Sequence, residues 1–198
     1  EAARRLKIKR VVLASSSSAV YNLSPYAASK LSMENYAACY RKLGLETICL
    51  RYYNVFGPYQ DPDGDYAAVI PKFISQALEG EELVVNGTGK YRDFTYVDNV
   101  VSATLAAVNI KNIGFDSPLD VGMGKPVSIQ YLAQAILRIT KSKSGFKIGH
   151  DRLGDVMSSC ANPGATKFAL RWDPDIDFEE GLDRTVKWFK AAYVPDGT

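Results

Sequence analysis

Residues 11–30 read VVLASSSSAVYNLSPYAASK, and this stretch decides the fold. Its first four residues, Val11, Val12, Leu13 and Ala14, form an unbroken apolar run, the pattern of a strand buried on both faces. Serines at positions 15–18 stand where that strand should end. Ser24-Pro25 then supplies a cap and a first-turn proline, which predicts a helix to about Leu43 with Gly44 as its stop. Tyr26 and Lys30 lie four residues apart on one face of that helix, with Cβ atoms roughly 6 Å from each other. An ammonium beside a phenol favours the phenolate. Tyr26 is therefore a candidate general base, with a serine hydroxyl at the strand end to bond the reacting oxygen. A surface tyrosine stacked on a lysine stem gives the same tetrapeptide, so the spacing alone leaves both readings open.

In combination, the strand, S-S-S-S-A-V-Y and S-P-Y-A-A-S-K resemble the extended short-chain dehydrogenase/reductase family, and within it the nucleotide-sugar 4-epimerases. The resemblance implies that Ser17, Tyr26 and Lys30 are catalytic and that NAD is the cofactor. Ser15, Ser16, Tyr26 and Lys30 would then lie against the cofactor, and Ser17 and Ser18 against the substrate.

Composition narrows the alternatives. The 198 residues are 46% hydrophobic, enough for a sizeable core, and carry a net charge of +2. No Lys/Arg run exceeds two residues, so no nucleic-acid partner is expected. No apolar stretch approaches the roughly 20 residues of a membrane span, and the N-terminus lacks a signal-peptide apolar region. Cys39, Cys49 and Cys160 lack metal-type spacing and read as reduced thiols of a cytoplasmic protein. With His150 the only histidine, no histidine-rich metal site is expected.

Family members of this kind open with a strand, a G-x-x-G-x-x-G turn and a helix that hold the dinucleotide pyrophosphate. No such fingerprint occurs here. Residues 1–10 read as the tail of a helix, so the chain is expected to enter its sheet part-way. Between Tyr21 and Asn22 the family carries a loop of roughly fifteen further residues, which suggests a gap at that point.

Downstream, residues 46–50 (ETICL) read as a second buried strand leading into R-Y-Y-N-V-F-G-P at 51–58. Binding groups gather where parallel strands end, although a plain Gly-Pro turn would also suit this segment. The resemblance implies that Asn54 bonds the diphosphate-sugar portion of a substrate and that Tyr53 lies beside the nicotinamide. It also places Ala68 and Val69 of A-A-V-I-P on the sugar-nucleotide pocket. In G-T-G-K-Y-R-D-F-T-Y-V-D it sets Arg92 on the diphosphate and Asn86 near the base. Asp98 is expected to cap the next helix. Arg152-Leu153-Gly154-Asp155 matches the family's R-x-G-D, with Arg152 on the diphosphate and Asp155 on the ribose. Ser159 then faces the sugar C2 substituent, and its small size admits an acetamido group. On the helix from Ser24, the stripe Met33, Tyr36, Ala37 and Tyr40 is either core or an oligomer face; the resemblance implies a homodimer through this helix.

The expected fold is α/β: the C-terminal part of a doubly wound parallel-sheet (Rossmann) domain over residues 1–58, then a small α/β substrate-binding domain over 59–198. Residues about 81–110 are expected to return to the first domain. The resemblance implies NAD-dependent 4-epimerisation of a UDP-sugar, UDP-N-acetylglucosamine and UDP-N-acetylgalactosamine first. UDP-glucose or a UDP-uronic acid is the nearest alternative, and a non-catalytic sugar-nucleotide-binding protein is the alternative of a different kind. A 4,6-dehydratase would need an Asp-Glu pair before V-Y, where this chain has Ser18-Ala19.

Overall fold

The structure, a computed structural model, describes residues 1–21, 23–64, 67–112, 114–151 and 156–193. A one-turn helix α1 (Ala2–Arg5) precedes β1 (Arg10–Ser16) and the short α2 (Ser18–Tyr21). Helix α3 (Pro25–Lys42) then leads to β2 (Glu46–Tyr52) and β3 (Val55–Phe56). Next come α4 (Val69–Glu79), β4 (Leu83–Asn86), β5 (Tyr91–Arg92), β6 (Thr95–Tyr96) and α5 (Val97–Asn109). The chain continues through β7 (Leu119–Val121), β8 (Val127–Ser128), α6 (Ile129–Thr140), β9 (Phe146–Gly149) and β10 (Ser158–Ser159). It closes on α7 (Gly164–Leu170) and α8 (Phe178–Tyr193).

Local signals set the ends of α3. The Ser24 hydroxyl accepts from the Ala27 N–H at 3.1 Å, Pro25 takes the first helical position, and Gly44 at φ +87° turns the chain away. The apolar runs form strands, but β1 is not buried on both faces: Val11, Val12 and Leu13 are half-buried and Ala14 is exposed. β1, β2 and β7 form a parallel sheet in that order, with Ala14 opposite Leu50 and Ser15 opposite Arg51.

Side chains alternate across a strand, and β2 uses both faces. Ile48 and Leu50 pack with Val100, Ala103 and Ala107 of α5 and with Leu170 and Trp172. Thr47 and Arg51 turn the other way, toward α3: the Thr47 hydroxyl bonds the Ala37 carbonyl at 2.8 Å, and Arg51 meets Glu34. Arg10 fixes α5 by donating from one guanidinium nitrogen to the carbonyls of Ala107, Val108 and Ile110, at the end where a cation is favoured.

A second core gathers Phe56, the α4 residues Ile70, Phe73 and Ile74, Leu83 and Val85 of β4, Leu132 and Ile136 of α6, and Leu182 and Phe189 of α8. Leu83 and Val85 thus belong to this second core, while α5 covers the β1-β2-β7 sheet. Here β4 pairs with β9, and β5 lies between β10 and β8.

One further expectation changes. Asp98 does not cap α5. The helix starts directly from β6 with Tyr96 as N-cap, and Asp98 falls in the first turn, 3.7 Å from Arg184. On α3 the stripe Met33, Tyr36, Ala37 and Tyr40 is not buried whole: Tyr36 is exposed, and the buried residues of the helix are Ala27, Glu34 and Ala37. The helix meets the sheet through a carboxylate. Glu34 accepts from Arg51 at 2.8 and 2.6 Å and from the Ser15 hydroxyl at 2.5 Å.

Breaking a buried pair by removing one partner costs more than replacing both. Glu34→Ala is expected to cost about 3 kcal/mol of unfolding free energy, whereas Glu34→Leu with Arg51→Met recovers most of it. Denaturant titration of the three proteins checks this, and an additive double variant would refute it. The thiols give a second test. Burial pushes Cys49 up to about 11, and it lies in the core, while Cys39 and Cys160 are exposed. At pH 8 the native protein should titrate two thiols with a disulfide reagent, the third reacting only in denaturant.

Candidate active site

The site is built where β1 and β2 end. Ser17 follows the last residue of β1, and its N–H bonds the Tyr52 carbonyl at 3.1 Å, so its position is tied to β2. Ser15 is buried with its hydroxyl committed to Glu34, and the Ser16 Oγ accepts from the Ser18 N–H at 3.1 Å. On α3 the Lys30 ammonium donates to the Ala14 carbonyl at 2.8 Å and stands 5.6 Å from the centre of the Tyr26 ring. Tyr26 itself is 56% exposed. The strand end therefore holds the lysine, and the lysine lies over an open phenol.

Two cavities adjoin this point. A polar one of about 260 Å³ is lined by residues that include Ser17, Ser18, Ser24, Asn54, Arg92 and Ser159. A larger, more apolar one of about 420 Å³ takes Phe56, Val69, Phe73, Val84 and Phe94 into its wall, with Ala68, Asn86 and Lys90 beside them. Asn54 and Arg92 line both, so the two spaces share a wall. Tyr26 is not in the lining of either, although its neighbours Ser24 and Ala27 line the polar cavity.

Asn54 has a fixed amide orientation. Its nitrogen donates to the Asp93 carbonyl at 2.9 Å and to the Ser159 Oγ at 3.1 Å. A backbone carbonyl can only accept, so the nitrogen must face it. Both amide hydrogens are thus used within the protein, and Oδ1 is the group left to meet a ligand. Arg92 directs one guanidinium nitrogen to the Tyr91 carbonyl at 2.8 Å. At α4, Ala68 is the N-cap and brings no side-chain acceptor, Pro71 has no N–H to offer, and the other residues of this first turn line the larger cavity, at the helix end where an anion is favoured.

The two tyrosines at the strand ends differ in setting. Tyr53 is buried and donates to the Asp120 carboxylate at 3.2 Å; burial first, then that carboxylate, pushes its phenol well above the ordinary value. Tyr53 is a neutral donor and Tyr26 the accessible phenol. Arg152 and Asp155 lie outside the described residues, as does Asn22.

Sequence reasoning missed several site groups. Lys90 is nearly buried in the wall of the larger cavity and pairs with Asp151 at 2.9 Å; its place between the G-T-G turn and Arg92 was the available signal. Asp93 and Glu34 carry no pattern that distinguishes a buried carboxylate from a solvated one. Among the described residues no group of three or more His, Cys, Asp or Glu side chains could hold a metal ion. No helix among them is long and apolar enough to cross a membrane.

Residues 1–114 match the model of the NAD dependent epimerase/dehydratase family. A putative UDP-glucose 4-epimerase of Methanocaldococcus jannaschii is 36% identical over 96% of this chain and 66% of its own length. A UDP-N-acetyl-alpha-D-glucosaminuronate decarboxylase of Bacillus cytotoxicus is 38% identical over 83% of this chain and 53% of its own. Among solved structures, a UDP-N-acetylglucosamine 4-epimerase from Methanobrevibacter ruminantium, in complex with UDP-N-acetylmuramic acid, superposes with a TM-score of 0.88. It is 36% identical, with 96% of this chain and 66% of that one covered. The chain thus spans just under two thirds of the length of these relatives at most.

Proposed function

The chain belongs to the NAD dependent epimerase/dehydratase family, and from that premise we propose that it serves the 4-epimerisation of a UDP-sugar bearing an acetamido group, UDP-N-acetylglucosamine and UDP-N-acetylgalactosamine. The observation that carries this reading is the shared wall: an apolar cavity joined at Asn54 and Arg92 to a polar one that ends at Ser17. A nucleobase suits the first and a sugar the second. A diphosphate between them meets the planar guanidinium of Arg92 and the uncapped end of α4. Asn86 borders the base, Ala68 and Val69 the nucleotide, and Ser18 the sugar.

The cofactor fits in part. The open face of Tyr26 and Lys30, at the carboxyl ends of parallel strands, suits the nicotinamide end of NAD, with Ser16 at the end of β1 and Tyr53 directly after its register partner Tyr52 on β2. No glycine-rich pyrophosphate turn occurs in the 198 residues. The chemistry a bound NAD supplies there is reversible hydride acceptance from the sugar C4. The proton work falls to this chain: Tyr26 Oη takes the 4-hydroxyl proton, Ser17 Oγ bonds the same oxygen, and the Lys30 ammonium stands over the Tyr26 ring. As C4 becomes a ketone, Arg92 keeps hold of the diphosphate, which lets the sugar turn and present its other face.

Ser159 supports the acetamido assignment. It is buried in the polar cavity wall and small enough to leave room beside C2. The names of the Bacillus and Methanobrevibacter relatives point to N-acetylated sugars as well. We further propose a homodimer through the outer face of α3, where Met33, Tyr36 and Tyr40 line a hollow of about 480 Å³ with Val11 and Leu13. A cytoplasmic setting accords with three unpaired cysteines. Binding without turnover is the second reading, favoured by the position of Tyr26 outside the lining of both cavities.

The deciding assay incubates the purified protein with NAD and either UDP-N-acetylglucosamine or UDP-glucose, with binding followed in parallel by calorimetry. Interconversion of the acetamido pair at the higher kcat/KM is expected; preference for UDP-glucose would remove the acetamido assignment, and binding without turnover would establish the second reading. Tyr26→Phe should lower turnover about 10²- to 10⁴-fold with UDP-sugar affinity little changed. Unchanged turnover would exclude Tyr26 as the base.

A further inference from the structure

One fully buried carboxylate has no part in the chemistry above. Asp93 is 0% exposed and lies between Arg92 and Phe94, which both line the larger cavity. Its oxygens accept three backbone N–H groups, from Met123 at 3.0 Å, Gly124 at 2.8 Å and Ala161 at 2.9 Å. Those groups come from two separate loops, one after β7 and one after β10. The Asp93 backbone serves the same region. Its N–H donates to the Ser159 carbonyl at 2.9 Å, and its carbonyl accepts from the Asn54 amide at 2.9 Å. Five hydrogen bonds from one residue therefore converge on Asn54, Ser159 and the loops behind them. The packing is tight: a Cβ on Gly122 would stand 3.0 Å from an Asp93 oxygen and 2.5 Å from the Ala161 Cβ.

We propose that Asp93 is the positioning residue of the sugar-side wall, its carboxylate drawing the loops at 122–124 and 160–162 together so that Asn54 and Ser159 keep one fixed spacing. The inference deepens the proposed function and rests on it. An ionised carboxylate presents acceptors on both oxygens, which is what three converging N–H groups require. An amide of the same shape sets an N–H donor against at least one of them, and the loops must part. Ser159 stands two residues before Ala161, so its hydroxyl moves away from the Asn54 amide. The base-side lining on α4 and β4 makes none of these bonds.

The test is ligand discrimination by calorimetry, with UDP-N-acetylglucosamine and UMP as probes, on the wild type and on Asp93→Asn. In the variant, affinity for the UDP-sugar should fall at least about tenfold, as misplacement of positioning groups does, while that for UMP changes little. Gly122→Ala keeps the charge and presses on the same clamp, so it should show the same selective loss. Equal weakening for both probes, or a wild-type ratio in both variants, would overturn the inference. So would failure of both variants to fold, which would make Asp93 a core group only. A wild type that binds neither probe would remove the proposed function and the inference together, whereas a discriminating wild type with indifferent variants removes the inference alone.

Discussion

The seating of α3 on the end of β1 is the contact on which the site depends. Lys30 and Glu34 are one turn apart and reach consecutive residues of the strand, the Ala14 carbonyl and the Ser15 hydroxyl. Arg51, opposite Ser15 on the neighbouring strand, closes the arrangement by taking both oxygens of Glu34. Apolar packing could hold a helix against a sheet, but it tolerates sliding. Charged groups with fixed donors and acceptors do not, because any shift leaves a buried charge without its partner. The axial position of Tyr26 relative to Ser17 is thereby set by two polar contacts of its own helix.

The same division runs through the rest of the molecule. Apolar residues supply the bulk of both cores, while buried polar groups fix the geometry where strands end. Glu34 does so for the strand that leads into Ser17, and Asp120 does so for Tyr53, whose phenol it holds. Asp93 is the most deeply buried of the three; burial raises its pKa although three N–H groups pull the other way. A carboxylate kept in such a place needs a geometric reason, and the two loops it joins provide one.

Much of the architecture was legible in the sequence because its signals are local. A serine cap with a first-turn proline, a glycine after the last turn and an unbroken apolar run each depend on a few neighbours. Hence α3 and β1 fall where the pattern puts them. Asp98 misled for the opposite reason. Its type suits a cap, but the strand β6 runs so directly into α5 that the helix begins before it. The burial of Glu34 on α3 was not legible because hydropathy assigns a glutamate to the solvent side. Only the presence of Arg51 and Ser15 across the interface makes Glu34 the buried residue, and that information lies 17 and 19 positions away.

Asn54 shows how residue type and backbone are selected together. Its φ of +33° is in the left-handed region, where most side chains are strained. Glycine would adopt it at least cost, but glycine would remove the amide that bridges the Asp93 carbonyl and the Ser159 hydroxyl. Asparagine tolerates this backbone better than other polar residues and supplies two donors from one nitrogen. The local strain is held because the flanking chain is fixed on both sides: the Tyr53 N–H bonds the Val121 carbonyl, and the Asn54 carbonyl accepts from the Thr95 N–H. With both donors consumed, the wall turns an acceptor toward whatever enters. Sugar hydroxyl and acetamido N–H groups are donors, and phosphate oxygens are not. Under the proposed function, this chemistry sets Asn54 against the sugar and leaves the diphosphate to Arg92.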